Sequence, residues 1–326
     1  MEVNVLISSV SNKVWLVKAF QRALRLEDDI QGKVISIDKD KLSAGLYKSD
    51  KYYPVPSSES SEFIPSILRI CEKEKINLIV PTRDGELLRF AENKSLFKKK
   101  GIQVAVSSAK AIRICRDKYR FSKFLEEEKI PTPKTFLPEE VKRVDSKRYP
   151  LLVKPRRGSS SVGIYKVNDQ RELEFFLSYI PQPIIQEFVE GKEYTIDLFS
   201  DFEKNVISIV PRERILTRGG ESIKGKTVKD KKAINYALKI SKAFGFCGAI
   251  TLQYIIGKEG IKFIEVNPRF GGGCALGIAA GANSPLFLVQ IIAGRKIENR
   301  IWKFKEGLVM LRYTEDLYLN GSEVNY

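Results

Sequence analysis

The residues best equipped for chemistry fall in one run, Ile264-Glu265-Val266-Asn267-Pro268-Arg269, where a carboxylate and a carboxamide lie two positions apart and an arginine follows. Strand side chains alternate faces, so on a strand Glu265 and Asn267 point one way and Val266 points into the opposite layer. Hard oxygen ligands of this kind suit magnesium, which keeps several waters and takes one or two protein carboxylates together with substrate phosphate oxygens. The run therefore predicts a nucleotide close by.

Upstream, Tyr149 to Pro155 reads as a buried strand ending at Lys154, followed by Arg156-Arg157-Gly158-Ser159-Ser160-Ser161-Val162-Gly163. Small residues flanked by glycines let backbone N–H groups approach a polyphosphate, and Lys154 supplies a point charge. The pattern matches neither the Walker loop nor the dinucleotide Gly-x-Gly-x-x-Gly, and alone it is equally an ordinary hairpin turn. The next apolar run, Ile184 to Val189, enters a short loop and then a strand from Tyr194 to Phe199. Together they offer backbone groups and a carboxylate to an adenine edge, with Glu193 placed for a ribose hydroxyl. In isolation a plain hairpin with solvated glutamates is the simpler reading.

These side chains need elements to position them. A strand at Val3 to Ile7 precedes a helix from Lys13 to Arg25 with apolar Val14, Val17, Phe20 and Leu24, and a strand from Lys33 to Asp38 follows. Helix Phe63 to Lys75, strand Leu78 to Val80, helix Glu86 to Lys94 and strand Gln103 to Val106 continue the alternation, which predicts a doubly wound parallel sheet. The turn Ser8 to Asn12 lacks the dinucleotide glycines. The carboxyl-end crevice of such a sheet holds ligands, with Asp38, Arg83 and Asp84 as candidates; equally, Asp38 caps a turn and Asp84 caps a helix. A helix from Ser108 to Cys115 leads into a second one capped by Asp117, with Lys118 in its first turn. Pro131 and Pro133 end that helix and open a small lid-like unit carrying Lys154. Later come strand Val206 to Val210, helix Lys231 to Phe244, and strands Ala249 to Ile256 and Ile261 to Val266. A hairpin turning at residues 257–260 brings Gln253 beside Glu265 and Asn267. Gly271-Gly272-Gly273 then present backbone donors to a substrate carboxylate or phosphate, or simply reverse the chain.

The 326 residues contain no histidine, which excludes Ser-His-Asp chemistry, histidine metal sites and imidazole bases. Phosphoryl transfer needs no imidazole, because positioning and charge neutralisation do most of its work. Cys71, Cys115, Cys247 and Cys274 form no Cys-x-x-Cys pair and read as buried, reduced thiols. The start lacks a secretory signal and no apolar run is long enough to span a bilayer, so a cytoplasmic protein without membrane contact is expected. The net charge of +16 is spread along the chain. A polyanionic nucleotide or an acidic co-substrate uses such a field as well as a nucleic acid does, which places nucleic acid second.

The order and spacing of Asp117-Lys118, Ile130-Pro131-Thr132-Pro133, Lys154 with its loop, Glu187 to Glu193, Gln253 and Glu265-Val266-Asn267-Pro268-Arg269 resembles the ATP-grasp superfamily. Within it the likeness is to single-module relatives of the carbamoyl-phosphate synthase large subunit, over roughly residues 110 to 290. The resemblance implies an α/β chain with an ATP-grasp fold: a doubly wound parallel sheet in residues 1–115, a small lid subdomain in 116–190 and a larger α+β subdomain in 191–326. It implies ATP and magnesium, or manganese, as cofactors, small-molecule carboxylate and amine substrates, and leaves a homodimer open. By the same resemblance Lys118 and Lys154 bind phosphates under a loop of Ser159, Ser160, Ser161 and Gly163. Glu187, Phe188 and Val189 match the adenine positions, Glu193 the ribose position, Gln253, Glu265 and Asn267 the metal-bridging positions, and Arg269 the arginine near the transferred phosphate. Arg269 and Lys154 are the catalytic candidates. One departure is plain: those relatives place a histidine between the adenine and metal strands, whereas Pro211 to Lys226 carries Arg212, Arg214 and Arg218 instead. A different acceptor, with an acidic group near these arginines, is expected. The implied activity is ligation of a carboxylate to an amine through an acyl phosphate; the alternative is a nucleotide-responsive binding or assembly protein without ligase turnover.

Overall fold

The structure, a computed structural model, describes residues 1–141, 149–158, 162–321 and 324. Ser159, Ser160 and Ser161, expected to cover phosphates, lie outside the described residues.

Strands β1 (Val5–Ser8), β2 (Val34–Asp38), β3 (Lys51–Pro54), β4 (Leu78–Pro81) and β5 (Gln103–Val104) form a parallel sheet in the order β3-β2-β1-β4-β5. Helices α1 (Val14–Arg25), α2 (Phe63–Lys73), α3 (Asp84–Glu92), α4 (Lys94–Lys99) and α5 (Ala109–Cys115) accompany it. The central strand is buried on both faces, as parallel sheets require. Val5 and Ile7 join a core with Leu16, Val17 and Phe20 of α1, while Leu6 joins another with Ile67 of α2 and Phe90 of α3.

Helix α6 (Lys118–Glu127) leads into a four-stranded antiparallel sheet of β6 (Thr135–Phe136), β7 (Leu151–Pro155), β8 (Tyr165–Val167) and β9 (Pro183–Glu187), ordered β6-β9-β7-β8. Helix α7 (Gln170–Tyr179) covers it, closing a small core of Leu151, Val153, Val167, Leu173 and Ile185. The larger antiparallel sheet contains β10 (Gly191–Ser200), β11 (Val206–Arg218), β12 (Glu221–Thr227), β13 (Gly248–Gly257), β14 (Gly260–Asn267) and β15 (Val309–Leu311), ordered β14-β13-β10-β11-β12-β15. Helix α8 (Lys231–Phe244) lies beneath it; Asp230 caps its start, accepting from Ala233 N at 3.0 Å, and Gly245 ends it in the left-handed conformation that favours glycine. Ala233, Ile234, Ala237 and Ile240 pack on Ile196, Leu198, Ile250 and Leu252, so one face of this sheet is committed to the core. Helices α9 (Cys274–Ala279) and α10 (Ser284–Ile292) return the chain to the first sheet, where Phe287 and Val289 share a core with Phe20.

The mixed α/β architecture follows the expected pattern, with a parallel sheet succeeded by two antiparallel ones. Several elements are absent from the sequence reading: β3, β6, β8, β12, β15, α4, α7, α9 and α10. Helix α10 is apolar almost all round and largely buried, so it lacks the two-faced period by which helices are recognised. Strand β3 is largely exposed and shows no apolar alternation. The four cysteines are free and buried. Among the described residues no helix is long and apolar enough to cross a membrane.

The hairpin of β13 and β14 rests on Phe263, fully buried against Tyr254 and Tyr236. Replacing it by alanine removes a large buried ring, and Phe263→Ala is expected to destabilise the protein by about 3–5 kcal/mol, read from the shift in a denaturant midpoint.

Candidate active site

A cleft of about 510 Å³ opens between the small and large antiparallel sheets. Its floor is the face of the large sheet turned away from α8. Strand register puts Thr195 beside Arg212 on one side and Gln253 on the other, Gln253 beside Glu265, and Thr251 beside Asn267. Alternate residues of β10, Glu193, Thr195 and Asp197, therefore share a face with the metal-strand residues. A bulge leaves Ile264 as the extra residue between the pairs Tyr254–Phe263 and Gln253–Glu265. That bulge lets Phe263 face the core while Glu265 and Asn267 both face the cleft.

The roof carries Lys154, which is only 5% exposed. Its Nζ donates to Gln186 Oε1 at 2.7 Å, and Gln186 Nε2 donates to Thr135 Oγ1 at 2.8 Å. No described carboxylate lies within ion-pair distance, so the ammonium is held by a neutral oxygen and keeps its charge free for an incoming anion. Burial brings its pKa down to about 8, against the opposing pull of Glu265 and with help from Lys118. Lys118, at the first position of α6, donates to Gly158 O at 2.7 Å. Asp117 caps α6 through Arg120 N at 3.1 Å and also receives Arg156 Nε at 2.9 Å, which ties the end of β7 to the start of α6. Gly163 adopts φ +74°, and a Cβ there would press on the Pro155 ring at 3.1 Å, so the far side of the loop requires glycine.

Between the sheets the chain passes through Phe188 and Val189, which line the cleft. Glu187 lines the cleft as well, with its carboxylate engaged by neighbours. Lys262 donates to its Oε1 at 2.5 Å and Lys134 N to its Oε2 at 3.1 Å, so its side chain fastens the small sheet to β14. Glu193 pairs with Arg214 Nη1 at 2.9 Å and stands 3.5 Å from Gln253 Nε2.

At the other end Arg269 is engaged across the two halves of the chain. Its Nε and Nη2 donate to Asp84 Oδ1 and Oδ2 at 2.9 and 2.6 Å, with further bonds to Phe270 O at 3.1 Å and Asn267 Oδ1 at 3.3 Å. The fork expected on acyl-phosphate oxygens is thus spent on a carboxylate of the parallel-sheet crevice. Asp84 does not cap α3, since the residue before that helix is Arg83. Asp38 does follow the turn-capping alternative: it accepts from Ser11 N at 2.8 Å and Asp40 N at 3.0 Å. Gly271, Gly272 and Gly273 are neither loose nor a mere reversal; a Cβ on each would fall within 2.4–2.5 Å of Thr251, Glu221 or Arg212.

The sequence profile of the ATP-grasp domain matches residues 115–273, and that of a PylC-like, N-terminal domain matches residues 5–105. Residues 115–273 of the chain thus carry an ATP-grasp domain, preceded by a PylC-like N-terminal domain. It is 27% identical over 260 residues to the carbamoyl phosphate synthase large chain of Clostridium botulinum, an overlap covering 72% of this chain and 23% of that one. The chain thus spans under a quarter of the length of that relative. Among solved structures it is similar to the biotin carboxylase domain dimer of the 2-oxoglutarate carboxylase of Hydrogenobacter thermophilus, in complex with MgADP, ADP and bicarbonate (TM-score 0.74, 19% identity, 94% of this chain and 73% of that one). It is also similar to the L-amino acid ligase of Bacillus licheniformis (TM-score 0.70, 18% identity, 93% and 77%). At such identities these likenesses speak for the ATP-grasp fold.

The cleft gathers Lys118, Lys154, Glu187, Phe188, Val189, Glu193, Gln253, Glu265, Asn267 and Arg269 along one wall or another. Gln186, Thr195 and Lys262 were not singled out by sequence reasoning, and Asp84 was a candidate for a ligand in the crevice rather than the partner of Arg269. Only Thr195 had a usable signal, its two-residue offset from Glu193 on the same strand. The donor set fits magnesium. Glu265, Asn267 and Gln253 offer one carboxylate and two carboxamide oxygens on adjacent strands, and Asn267 Nδ2 steadies Glu265 Oε1 at 3.2 Å. Among the described residues no three His, Cys, Asp or Glu side chains gather. An all-protein cage is therefore missing and phosphate oxygens would complete the sphere, which is how magnesium is usually held.

Because burial lowers the Lys154 pKa, its charge is full well below pH 8 and is lost above it in the nucleotide-free protein. Affinity for a non-hydrolysable ATP analogue is expected to fall between pH 7 and 9.5, and Lys154→Met is expected to flatten that fall. Calorimetric titrations at several pH values check it, and matching slopes for the two proteins contradict it.

Proposed function

We propose that the protein is an ATP- and magnesium-dependent ligase that joins a small-molecule carboxylate to an amine. The observation that carries this is convergence: Lys154 of the small sheet and Glu265 of the large sheet, far apart in sequence, line one cleft together with Lys118, Gln253 and Asn267. A roof cation over an oxygen-rich floor is the arrangement a triphosphate needs.

A carboxylate oxygen attacks the γ-phosphorus as the bond to ADP breaks; the amine nitrogen then attacks the acyl carbon, phosphate departs and the nitrogen loses a proton. Lys154 and Lys118 hold phosphate oxygens from the roof, with Lys118 exchanging its Gly158 carbonyl partner for an anion. Phe188 and Val189 present backbone groups to the adenine edge and Glu193 accepts from a ribose hydroxyl. Glu265, Asn267 and Gln253 are the residues that would hold magnesium, which would there supply neutralisation of phosphate charge. Arg269, held by Asp84 and bonded through Nη2 to Asn267 Oδ1, stands beside the residues that would hold the metal, where its positive charge counters charge developing on the transferred phosphoryl group. The engagement of Arg269 by Asp84 also supports a second reading, in which nucleotide binding controls contact between the crevice and the cleft without turnover.

Screening carboxylate and amine pairs for ADP formation with magnesium and ATP, with products identified by mass spectrometry, separates the two readings. For an active pair, Lys154→Ala and Glu265→Ala are each expected to cut carboxylate-dependent ADP release by about 100-fold or more, the scale seen when one preorganised charge-stabilising group is removed. Turnover within a few-fold of the unsubstituted protein in either variant refutes the assignment.

A further inference from the structure

The cleft floor contains polar atoms that the nucleotide reading does not use. Arg212 is 1% exposed and its Nε and Nη2 donate to Asp197 at 2.6 and 2.8 Å, yet its Nη1 is buried without a hydrogen-bond partner among the described residues. Its register partner Thr195 likewise has a buried Oγ1 without a partner. Two adjacent orphans, both lining the cleft, are the mark of a site whose occupant is a ligand, because buried polar atoms are otherwise almost always satisfied.

The surroundings hold Arg212 in this pose. Asp197 Oδ1 also accepts from Cys274 Sγ at 3.1 Å, and a Cβ on Gly277 would fall 2.5 Å from Asp197 Oδ2. Gly273 leaves room for the guanidinium: a Cβ there would fall 2.4 Å from Arg212 Nη1. A buried ion pair is seldom kept for stability, since apolar residues of similar volume do as well. A pair with one donor left open is better explained as a rigid holder for an acceptor group. The neighbouring charges are largely committed, Arg214 to Glu193 and Gly220 O, Glu221 to Arg312, and Arg269 to Asp84, while Arg214 Nε is a further buried atom without a partner among the described residues.

Place along the strand says which acceptor. Strand β10 leaves the adenine end of the cleft at Gly191 and runs past Glu193 to Thr195 and Asp197. At about 3.3 Å per residue, Thr195 lies roughly 7 Å beyond the ribose-facing Glu193. The glycine run that Arg212 touches lies past Arg269, beyond the metal strands. Building on the ligase reading above, we propose that Arg212 Nη1 and Thr195 Oγ1 bind the carboxylate that receives the phosphoryl group, so that these two residues select a carboxylate substrate and orient its attacking oxygen.

The test uses the full chain. A non-hydrolysable ATP analogue with magnesium is titrated first, and acetate labelled with carbon-13 at its carboxyl is then titrated into the saturated protein and followed by chemical shift. Arg212→Gln is expected to weaken acetate binding at least tenfold, the scale of a lost charge-assisted hydrogen bond, and Thr195→Val and Gly273→Ala each by about three- to tenfold, the scale of one ordinary hydrogen bond. Affinity for the analogue should stay within twofold. Gly273 has φ −89°, which alanine adopts freely, so that variant tests the site even where Arg212→Gln does not fold. Acetate binding unchanged in the folded variants, equal weakening of the analogue, or no acetate site in the unsubstituted protein each overturns the proposal. Absence of analogue binding in the unsubstituted protein fails the ligase reading instead; acetate titrated alone then upholds the Arg212 site if the variants weaken it, and overturns it if they do not.

Discussion

The structure depends on the two-residue period of the large antiparallel sheet. Even-numbered positions of β10 and β13, such as Ile196, Leu198, Ile250 and Leu252, pack on α8, and this leaves the odd-numbered Thr195, Asp197, Thr251 and Gln253 on the other face. Because the period is two, a register slip of one residue on any of these strands would bury carboxylates against α8 and expose its core. The apolar face thus fixes the polar one. Hydrophobic burial, which is non-directional, sets the positions of groups that must be placed to fractions of an ångström.

The bulge at Ile264 shows how local the exceptions are. Without it, Phe263 and Glu265 would share a face, and either the core would lose a ring or the cleft would lose its carboxylate. Inserting one residue between the pairs Tyr254–Phe263 and Gln253–Glu265 satisfies both demands. Such irregularities are common beside active sites because they re-aim a side chain without moving the sheet.

This division also explains what could be read from the sequence. Alternation along β10, β13 and β14 made the shared face of Gln253, Glu265 and Asn267 legible, and alternating strands and helices made the parallel sheet legible. Asp117 was legible as a helix cap, because capping is a matter of residue type and local spacing. Partners brought from distant segments were not. The Asp84–Arg269 pair spans 185 positions, and neither residue announces the other. Glu187 carried the right type for an adenine-facing role, but its carboxylate went to Lys262, 75 positions away on a strand that only the folded sheet brings near. Helix α10 escaped notice for the opposite reason: buried on nearly every side, it lost the periodic contrast that marks a helix.

The Asp84–Arg269 pair links the parallel sheet to the cleft in a way that neither half achieves alone. Asp84 opens α3 at the carboxyl end of β4, the edge at which open α/β sheets receive ligands. Its partner stands two residues past Asn267, the last residue of β14, and bonds to Asn267 Oδ1 as well. Any ligand in the crevice that competed for Asp84 would therefore release a guanidinium beside the metal-binding oxygens, and any anion that drew Arg269 away would uncover a carboxylate in the crevice. The pair is bidentate and only partly exposed, so releasing one partner leaves the other's charge with less compensation. A single bidentate contact thus joins the crevice to the cleft, and the packing of α1 against α10 in a common core holds the two halves together beside it.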